Sequence, residues 1–157
     1  MAKLPKKSKV IPKYILIRDS REKEGHGWFF EDVDCAGTTI KKIEQGDYCV
    51  EGIEHLMVIE RKGSWDEFAQ NVSKDRERFY REIERLKTIK HVFLIIEDDL
   101  ANIDKGWHQL GANYILANLI SLQIKHGIHV VLVGKHGEQY IKWLLKKFWQ
   151  YYIEGRL

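Results

Sequence analysis

The sequence predicts an α/β domain in which a mixed sheet is flanked by helices on both sides. Two apolar runs of strand length, HVFLII at 91–96 and IHVVLV at 128–133, enclose a segment with helical periodicity at 110–125. A strand, a helix and a second strand in succession are typical of a parallel crossover. Shorter strand signals separated by turns precede them, so we also expect an antiparallel portion.

The first half of the chain carries the shorter strand signals. YILI at 14–17 predicts a buried strand that ends in a charged cluster beginning at Arg18. Glycines and aromatic residues between positions 24 and 37 predict a loop that can include a short helix anchored by the aromatic residues. Three further strands, separated by turn signals, are expected at 38–44, 47–51 and 56–62. Their order predicts an antiparallel meander.

Two further amphipathic helices are expected. Ser64 to Glu67 has the S-x-x-E spacing of a capping box, and apolar residues recur at helical intervals to about Lys87. These signals predict one long helix over 64–87. A second helix is predicted at 138–152, where a broad apolar stripe stands opposite several lysines. We expect this stripe to pack on the sheet or on a second subunit rather than on a membrane.

Length and composition predict one domain at 13–157, preceded by a basic, flexible arm at 1–12. A chain of 157 residues with 44% hydrophobic residues can bury a core of its own. The arm is rich in lysine and proline, and no apolar stretch of signal-peptide or membrane-spanning length follows it. The two cysteines, Cys35 and Cys49, form neither a CxxC pair nor a disulfide framework. We therefore expect a cytoplasmic protein that does not enter a membrane.

Net charge does not identify a partner, because 26 basic residues only slightly outnumber 23 acidic ones. The candidate chemistry lies instead in VIERK at 58–62. Side chains alternate along a strand, so Glu60 and Lys62 share one face and Arg61 points to the other. Asp47 begins the preceding predicted strand, and antiparallel pairing could bring its carboxylate near Glu60. An acid pair beside a lysine is the expected result.

Further charged residues surround this group. The same alternation puts Asp19 and Arg21 on one face at the end of the first strand, and Asp66 falls in the first turn of the predicted helix. Phosphodiester hydrolysis uses such a set: carboxylates hold Mg²⁺, and a cation positions the attacking water and offsets developing charge. Each element alone has an ordinary explanation as a surface ion pair or a helix-terminal acid. Their clustering around one predicted hairpin favours a site.

At these residues the chain resembles the XPF and Hef nucleases. G-D at 46–47 and E-R-K-x-x-x-D at 60–66 match the family's signature, GDxnERKxxxD, and D-S-R at 19–21 adds to the resemblance. The resemblance continues through RERFYREIERL, FLIIED and LISLQIKHGIHVVLVG, and so covers nearly the whole chain after residue 14.

The resemblance implies a restriction-endonuclease-like fold with a PD-(D/E)xK site that cleaves DNA with Mg²⁺, or with Mn²⁺ in its place, often at branched or flapped structures. It implies that the metal-site acids are Asp47, Glu60 and Asp66, that Lys62 orients the water, and that Asp19 and Arg21 are accessory catalytic residues. Arg61 also matches the catalytic motif, and its opposite direction on the strand leaves a phosphate contact and support of the fold both open. A homodimer is expected, since XPF relatives are typically dimeric through this domain. In 157 residues we expect no helicase or helix-hairpin-helix module. The chain therefore resembles the single-domain bacterial and viral forms, with a role in repair, recombination or replication.

Other interpretations remain open at this point. A non-catalytic DNA-binding or scaffold subunit would share the fold, although such subunits lose the acids that this chain keeps. An RNA-directed nuclease would use the same chemistry. The interleaved arginines and glutamates of the predicted long helix fit a solvated face as well as a DNA track. His126 and His129 have no second ligand pair at zinc spacing.

Overall fold

The structure, a computed structural model, describes residues 10–106 and 109–157. Within these residues six strands form one sheet. The strands are β1 (Tyr14–Asp19), β2 (Cys35–Lys41), β3 (Tyr48–Val50), β4 (Met57–Lys62), β5 (His91–Ile96) and β6 (His129–Leu132). The helices are α1 (Trp65–Val72), α2 (Arg76–Leu86), α3 (Ala112–His126) and α4 (Gly137–Ile153), with short 3-10 turns at Leu100–Asn102 and Gly134–His136.

The sheet is mixed, with strand order β2-β1-β3-β4-β5-β6. The three-residue strand β3 runs antiparallel to both of its neighbours, β1 and β4. All the other pairs are parallel. The predicted crossover is confirmed, because β5 and β6 are parallel and α3 connects them. The central position of β3 brings the ends of β1 and β4 to either side of it.

The predicted meander is wrong for its first strand. The segment expected at 38–44 begins earlier, at Cys35, and pairs in parallel with β1 instead of antiparallel with β3. The physical reason is the connection at 20–34, which is long enough to carry the chain back to the start of β1. β1 is also longer than expected, since Arg18 and Asp19 belong to the strand and are 7% and 2% exposed.

The long helix predicted at 64–87 is two helices. α1 ends at Val72, and the Ser73 hydroxyl donates a hydrogen bond of 2.6 Å back to the carbonyl of Ala69. Such back-bonding competes with the helical backbone pattern. The backbone N–H groups of both Ser73 and Asp75 bond the carbonyl of Gln70, which turns the chain before α2 begins. The expected apolar residues are nevertheless buried on both helices: Phe68, Val72, Phe79, Ile83 and Leu86.

Helices cover both faces of the sheet, as predicted. α1, α2 and α3 pack on one face, where Val58, Leu94 and Ile96 of the strands meet their apolar sides. On the other face α4 packs with Trp28 and Phe30 of the 20–34 connection. The apolar stripe of α4 contributes Ile141, Leu145 and Phe148 to this second core. The stripe predicted at 138–152 is therefore buried mainly against the sheet.

Residues 1–9 of the predicted arm lie outside the described residues. Residues 10–12 have no regular secondary structure, and the Trp149 indole N–H donates to the carbonyl of Pro12 over 2.7 Å. In the described part of the chain, no helix is both long enough and apolar enough to span a bilayer. Cys35 and Cys49 are buried free thiols.

Candidate functional site

A cleft of about 800 Å³ opens between the loop after β1, the loop before β3, the start of α1 and the end of α2. Lys62, the last residue of β4, is hydrogen-bonded to a residue of the cleft wall. The other residues predicted for the site line the cleft directly: Asp19, Arg21, Asp47, Glu60, Arg61 and Asp66. The structure thus brings the predicted set to one place, although the members differ in how they are held.

β4 presents its charged residues in opposite directions. The Lys62 Nζ donates to Glu60 Oε1 over 3.0 Å, and the two side chains are 8% and 15% exposed. Arg61 points to the other face, where its Nε bonds Glu97 Oε1 and its guanidinium lies 5.7 Å from the centre of the Trp28 ring. The alternation expected along a strand explains both placements.

Asp47 is fixed between two strands by its backbone. Its carbonyl accepts from the N–H of Asp19 in β1 over 2.8 Å, and its own N–H donates to the carbonyl of Ile59 in β4 over 2.9 Å. Its carboxylate Oδ2 accepts from the N–H of Arg61 over 2.7 Å. Gly46 permits this approach, because a Cβ there would stand 2.2 Å from a methyl of Val58 and its φ is +86°.

The acid pair formed by Asp47 and Glu60 is poorly compensated. Burial, followed by the charge of Glu60, raises the pKa of Asp47 to about 8. Burial also raises the pKa of Glu60, although the adjacent Lys62 ammonium acts in the opposite direction. Burial acts to lower the pKa of Lys62, but the neighbouring Glu60 outweighs burial and the pKa is raised. Lys62 therefore carries its charge near neutral pH, and Asp47 needs further positive charge nearby to ionise fully there.

Asp19 holds the loop that leads to Asp47. Its Oδ2 accepts from Arg21 Nε over 2.7 Å, and its Oδ1 accepts from the N–H of Ile43 over 3.0 Å. The Arg21 guanidinium also donates to the carbonyl of Ile43 over 2.7 Å, while its side chain remains 59% exposed. Both of these predicted residues border the cleft, and both tie the chain before β3 to the end of β1.

Asp66 enters the cleft from the first turn of α1. Ser64 caps this helix by accepting from the N–H of Glu67 over 3.3 Å, and Glu67 Oε2 accepts from the N–H of Gly63 over 2.8 Å. The capping box is therefore present in a slightly shifted form. The Asp66 carboxylate also lies against Gly106, where a Cβ would stand 2.7 Å from Oδ1.

Two further acids belong to the site and were not predicted from sequence. Glu22 lines the cleft and faces Arg61, with 3.7 Å between its Oε1 and Arg61 Nη1. Within the described chain its Oε2 is buried without a hydrogen-bond partner. Glu97, the residue after β5, receives the Arg61 hydrogen bond. Glu22 follows the D-S-R motif directly, so its position in the charged cluster was the available signal, whereas Glu97 is brought to the site only by the β4–β5 pairing.

Arg18 anchors the wall of the cleft from the sheet. It donates to the carbonyls of Trp28 and Lys23 over 3.1 and 2.7 Å. The Tyr48 hydroxyl accepts from the N–H of Trp28 over 2.9 Å. These bonds hold the connection at 20–30, which carries Glu22 and Lys23 to the cleft.

The donor set of the cleft suits a divalent cation in its chemistry but not in its spatial arrangement. Asp47 and Glu60 are hard oxygen donors with raised pKa values, so a cation between them would supply the missing positive charge. Mg²⁺ commonly binds through one or two carboxylates and keeps several waters. However, among the residues the structure describes, no three His, Cys, Asp or Glu side chains are grouped closely enough to enclose a metal ion. The four predicted acids therefore do not form a preformed cage.

Comparison with known proteins agrees with this fold. A family model described as the ERCC4 domain matches residues 18–144. The chain is similar to the solved structure of XPF from Aeropyrum pernix, with a TM-score of 0.61 and 16% identity, over 87% of this chain and 60% of that one. It is also similar to XPF from Aeropyrum pernix in complex with DNA, with a TM-score of 0.61 and 17% identity, over 92% of this chain and 68% of that one. Comparison with the curated proteins gave no match.

The similarity to these structures is a similarity of fold, which is restriction-endonuclease-like. The chain spans about 60% of the length of the first XPF structure.

Proposed function

Because the chain belongs to the ERCC4 domain family of DNA nucleases, we propose that it is a divalent-metal-dependent endonuclease that hydrolyses phosphodiester bonds in branched, flapped or forked DNA. The observation that carries this proposal is the acid pair of Asp47 and Glu60 beside Lys62, at one cleft. A role in repair, recombination or replication, within the cytoplasm, is part of the same proposal.

Asp47 and Glu60 are the residues that would hold the metal ion, and Asp66 lines the same cleft. Mg²⁺, or Mn²⁺ in its place, would supply a Lewis acid and lower the pKa of a bound water. We assign Asp19 a secondary part, because Arg21 and the Ile43 N–H already occupy its carboxylate. Asp19 would support the site chiefly by fixing the loop that carries Asp47.

Lys62 is suited to orienting the attacking water and offsetting negative charge that develops on the phosphate. Its ammonium is held by Glu60, and the ring of Phe79 lies 5.8 Å from Nζ on the core side. These contacts restrict the ammonium before substrate binds, which is the condition for electrostatic stabilisation without reorganisation.

The two arginines of the predicted set have different parts in the proposal. Arg21 is exposed beside the cleft, where its remaining donors can contact a phosphate. Arg61 is held by Glu97 and Glu22, and its backbone N–H fixes the Asp47 carboxylate. We therefore assign Arg61 a positioning role that orients Asp47 and Glu22.

We also propose a homodimer that forms through α3 and the edge strand β6. Ile120 and Ile124 on the outer side of α3 are 49% and 82% exposed. A groove of about 470 Å³ runs beside β6 and is bordered by Val130 and by Tyr140 of α4. An exposed apolar helix face next to an unpaired strand edge is typical of a subunit interface.

The test uses purified protein with Mg²⁺, Mn²⁺ or EDTA. Single-stranded, duplex, flap, fork, four-way and RNA substrates are compared. We expect cleavage of branched DNA that requires the metal, and a loss of at least about 1,000-fold for Glu60→Gln, since the removed carboxylate both binds the cation and holds Lys62.

The matched control is Glu51→Gln, which removes an exposed acid from the turn after β3, outside the cleft. It should cleave like the wild type, and both variants should keep the wild-type unfolding temperature within a few degrees. Undiminished cleavage by folded Glu60→Gln protein would overturn the proposal. Preferential cleavage of RNA would overturn its substrate class.

A further inference from the structure

Three arginines form a continuous row on the outer side of α2. A helix turns by about 100° per residue, so Arg78, Arg81 and Arg85 fall within an arc of about 60°. This arc is opposite the buried residues of α2, which are Phe79, Ile83 and Leu86. Glu77 and Glu84 lie on one flank of the row and Glu82 on the other. No acidic residue of the helix therefore stands between the three arginines.

The row begins in the cleft. Arg85 lines the cleft beside Glu82, close to the end of α2. Arg81 and Arg85 also border an adjoining groove of about 490 Å³ on the helix surface. From Arg85 to Arg78 the row extends for about 10 Å along the helix axis, which equals about three base-pair steps of a duplex. A positively charged surface that is long enough to contact several phosphates thus leads out of the cleft.

The ion pairs of these arginines are weak enough to exchange for phosphate. Arg78 lies 3.2 Å from Asp75 and Arg81 lies 3.9 Å from Glu77, and both arginine side chains are more than 60% exposed. Solvent-exposed pairs of this kind contribute little stability. Within residues 10–106 and 109–157 Arg85 has no ion-pair partner. A guanidinium can bind a phosphate through two parallel hydrogen bonds, which favours that exchange.

The acids of the cleft explain why such a row is needed. Glu22 and Asp66 line the cleft together with the pair of Asp47 and Glu60, and every one of these carboxyl groups that is ionised repels the phosphates next to the reacting one. Cations beside the cleft offset this repulsion.

We propose that Arg78, Arg81 and Arg85 form the surface on which the DNA backbone lies as it leaves the cleft. The inference rests on the proposed nuclease function and adds to it the path of the substrate. The contacts are to phosphates, so they do not depend on base sequence.

The experiment measures binding of a fluorescein-labelled duplex in EDTA, between about 50 and 200 mM salt, by fluorescence anisotropy. The variant is Arg78→Ala with Arg81→Ala, which leaves the cleft residue Arg85 in place. Each lost phosphate contact lowers the slope of log K against log salt by about 1. We therefore expect a slope smaller by about 2 and an affinity lower by about 10- to 100-fold at 0.1 M salt.

The matched control is Lys142→Ala with Lys146→Ala on α4. It removes the same charge from two lysines that are 40% exposed and paired with Asp32 and Asp34. Its slope should equal that of the wild type. Replacing both arginines by lysine should restore most of the slope, which tests the contacts independently of folding.

The possible outcomes separate the two proposals. If the wild type cleaves DNA and the arginine variant keeps the wild-type slope, or if both double variants lose slope equally, the arginine row is overturned and the nuclease function stands. If the wild type neither binds nor cleaves DNA, the nuclease function fails and the arginine row fails with it.

Discussion

At the scale of single residues, the site is built from charges that the surrounding fold does not balance. Asp47 is locked by its backbone between β1 and β4, and its carboxylate is held by the N–H of Arg61. Glu60 has Lys62 as its compensating cation, yet both acids keep raised pKa values because burial dominates. Buried acids with raised pKa values destabilise the metal-free protein when they ionise, and they are suited to binding a cation.

Replacing Asp47 by asparagine should stabilise the metal-free protein at alkaline pH. The pKa of Asp47 is about 8 in the folded chain and about 3.9 in the unfolded chain. The folded state therefore binds the extra proton between these values, and wild-type stability falls as pH rises through this window. The amide that replaces the carboxylate keeps an oxygen for the Arg61 N–H and has no charge to bury.

The measurement is the unfolding temperature of both proteins in EDTA, from about pH 5 to pH 8. The advantage of Asp47→Asn should grow with pH, by about 2–4 °C for each kcal/mol regained. Added Mg²⁺ should raise the unfolding temperature of the wild type alone. A difference that does not change with pH would contradict the raised pKa.

Replacing Arg18 by alanine should destabilise the chain strongly. Arg18 is 7% exposed, and its loss leaves the carbonyls of Trp28 and Lys23 without their donor. We expect a loss of about 2–3 kcal/mol in the free energy of unfolding, measured by urea denaturation. Arg156→Ala is the control, because Arg156 is 59% exposed and its guanidinium contacts Glu154 and the Tyr151 ring without filling a buried site. Equal losses in the two variants would argue against the anchoring role of Arg18.

At the scale of elements, the start of α1 is held from two directions. Ser64 caps the helix from its own chain. Asp98, after β5, accepts from the N–H of Trp65 over 3.3 Å, and the Trp65 indole donates to the carbonyl of Asp99 over 2.8 Å. The acidic segment after β5 therefore fixes the turn of α1 that carries Asp66.

Replacing Ser64 by alanine should lower the free energy of unfolding by about 1 kcal/mol, because the N–H of Glu67 loses its acceptor. The unfolding temperature should fall by about 2–4 °C. Ser64→Thr, which keeps a capping hydroxyl, is the control and should restore most of the loss. An unchanged unfolding temperature in the alanine variant would show that the contacts of Trp65 alone define the helix start.

At the scale of the whole molecule, the cleft and the proposed subunit interface draw on different strands and loops. Both faces of the sheet are covered by helices, but the cleft draws on the loops at one end of β1 and β4, while α3 and β6 lie on the far side of β5. Among the described residues that line the cleft, none belongs to α3 or β6. A second subunit can bind there without covering the candidate site.

Replacing Ile124 by lysine should convert a dimer into a monomer, because it places a charge in the centre of the proposed apolar interface. Size-exclusion chromatography with light scattering measures the mass directly. Val33→Lys is the matched control, since Val33 is 83% exposed and Ile124 is 82% exposed. A monomeric wild type, or a dimeric Ile124→Lys variant, would contradict the proposed interface.

Local patterns in the sequence are enough to predict the fold class, most element positions and most of the charged residues that meet at the cleft. Periodicity is a local property, so β5 at 91–96 and the buried face of α4 could be read directly. The alternation of Glu60, Arg61 and Lys62 along a strand is local in the same sense. This alternation alone therefore predicts that the side chains of Lys62 and Arg61 point to opposite faces of the sheet.

Three features of the fold could not be predicted from these patterns. β2 pairs with β1 because the 20–34 connection returns the chain to the sheet edge, and no local pattern distinguishes that pairing from a meander. The break between α1 and α2 depends on the back-bond of Ser73, which a helical apolar pattern does not register. Glu97 reaches Arg61 only because β5 lies beside β4. The pairing of β2 with β1 and the contact of Glu97 with Arg61 join residues that are far apart in the sequence, and such contacts carry no periodic signal. The Ser73 bond is local, but it does not change the apolar periodicity that predicts a helix.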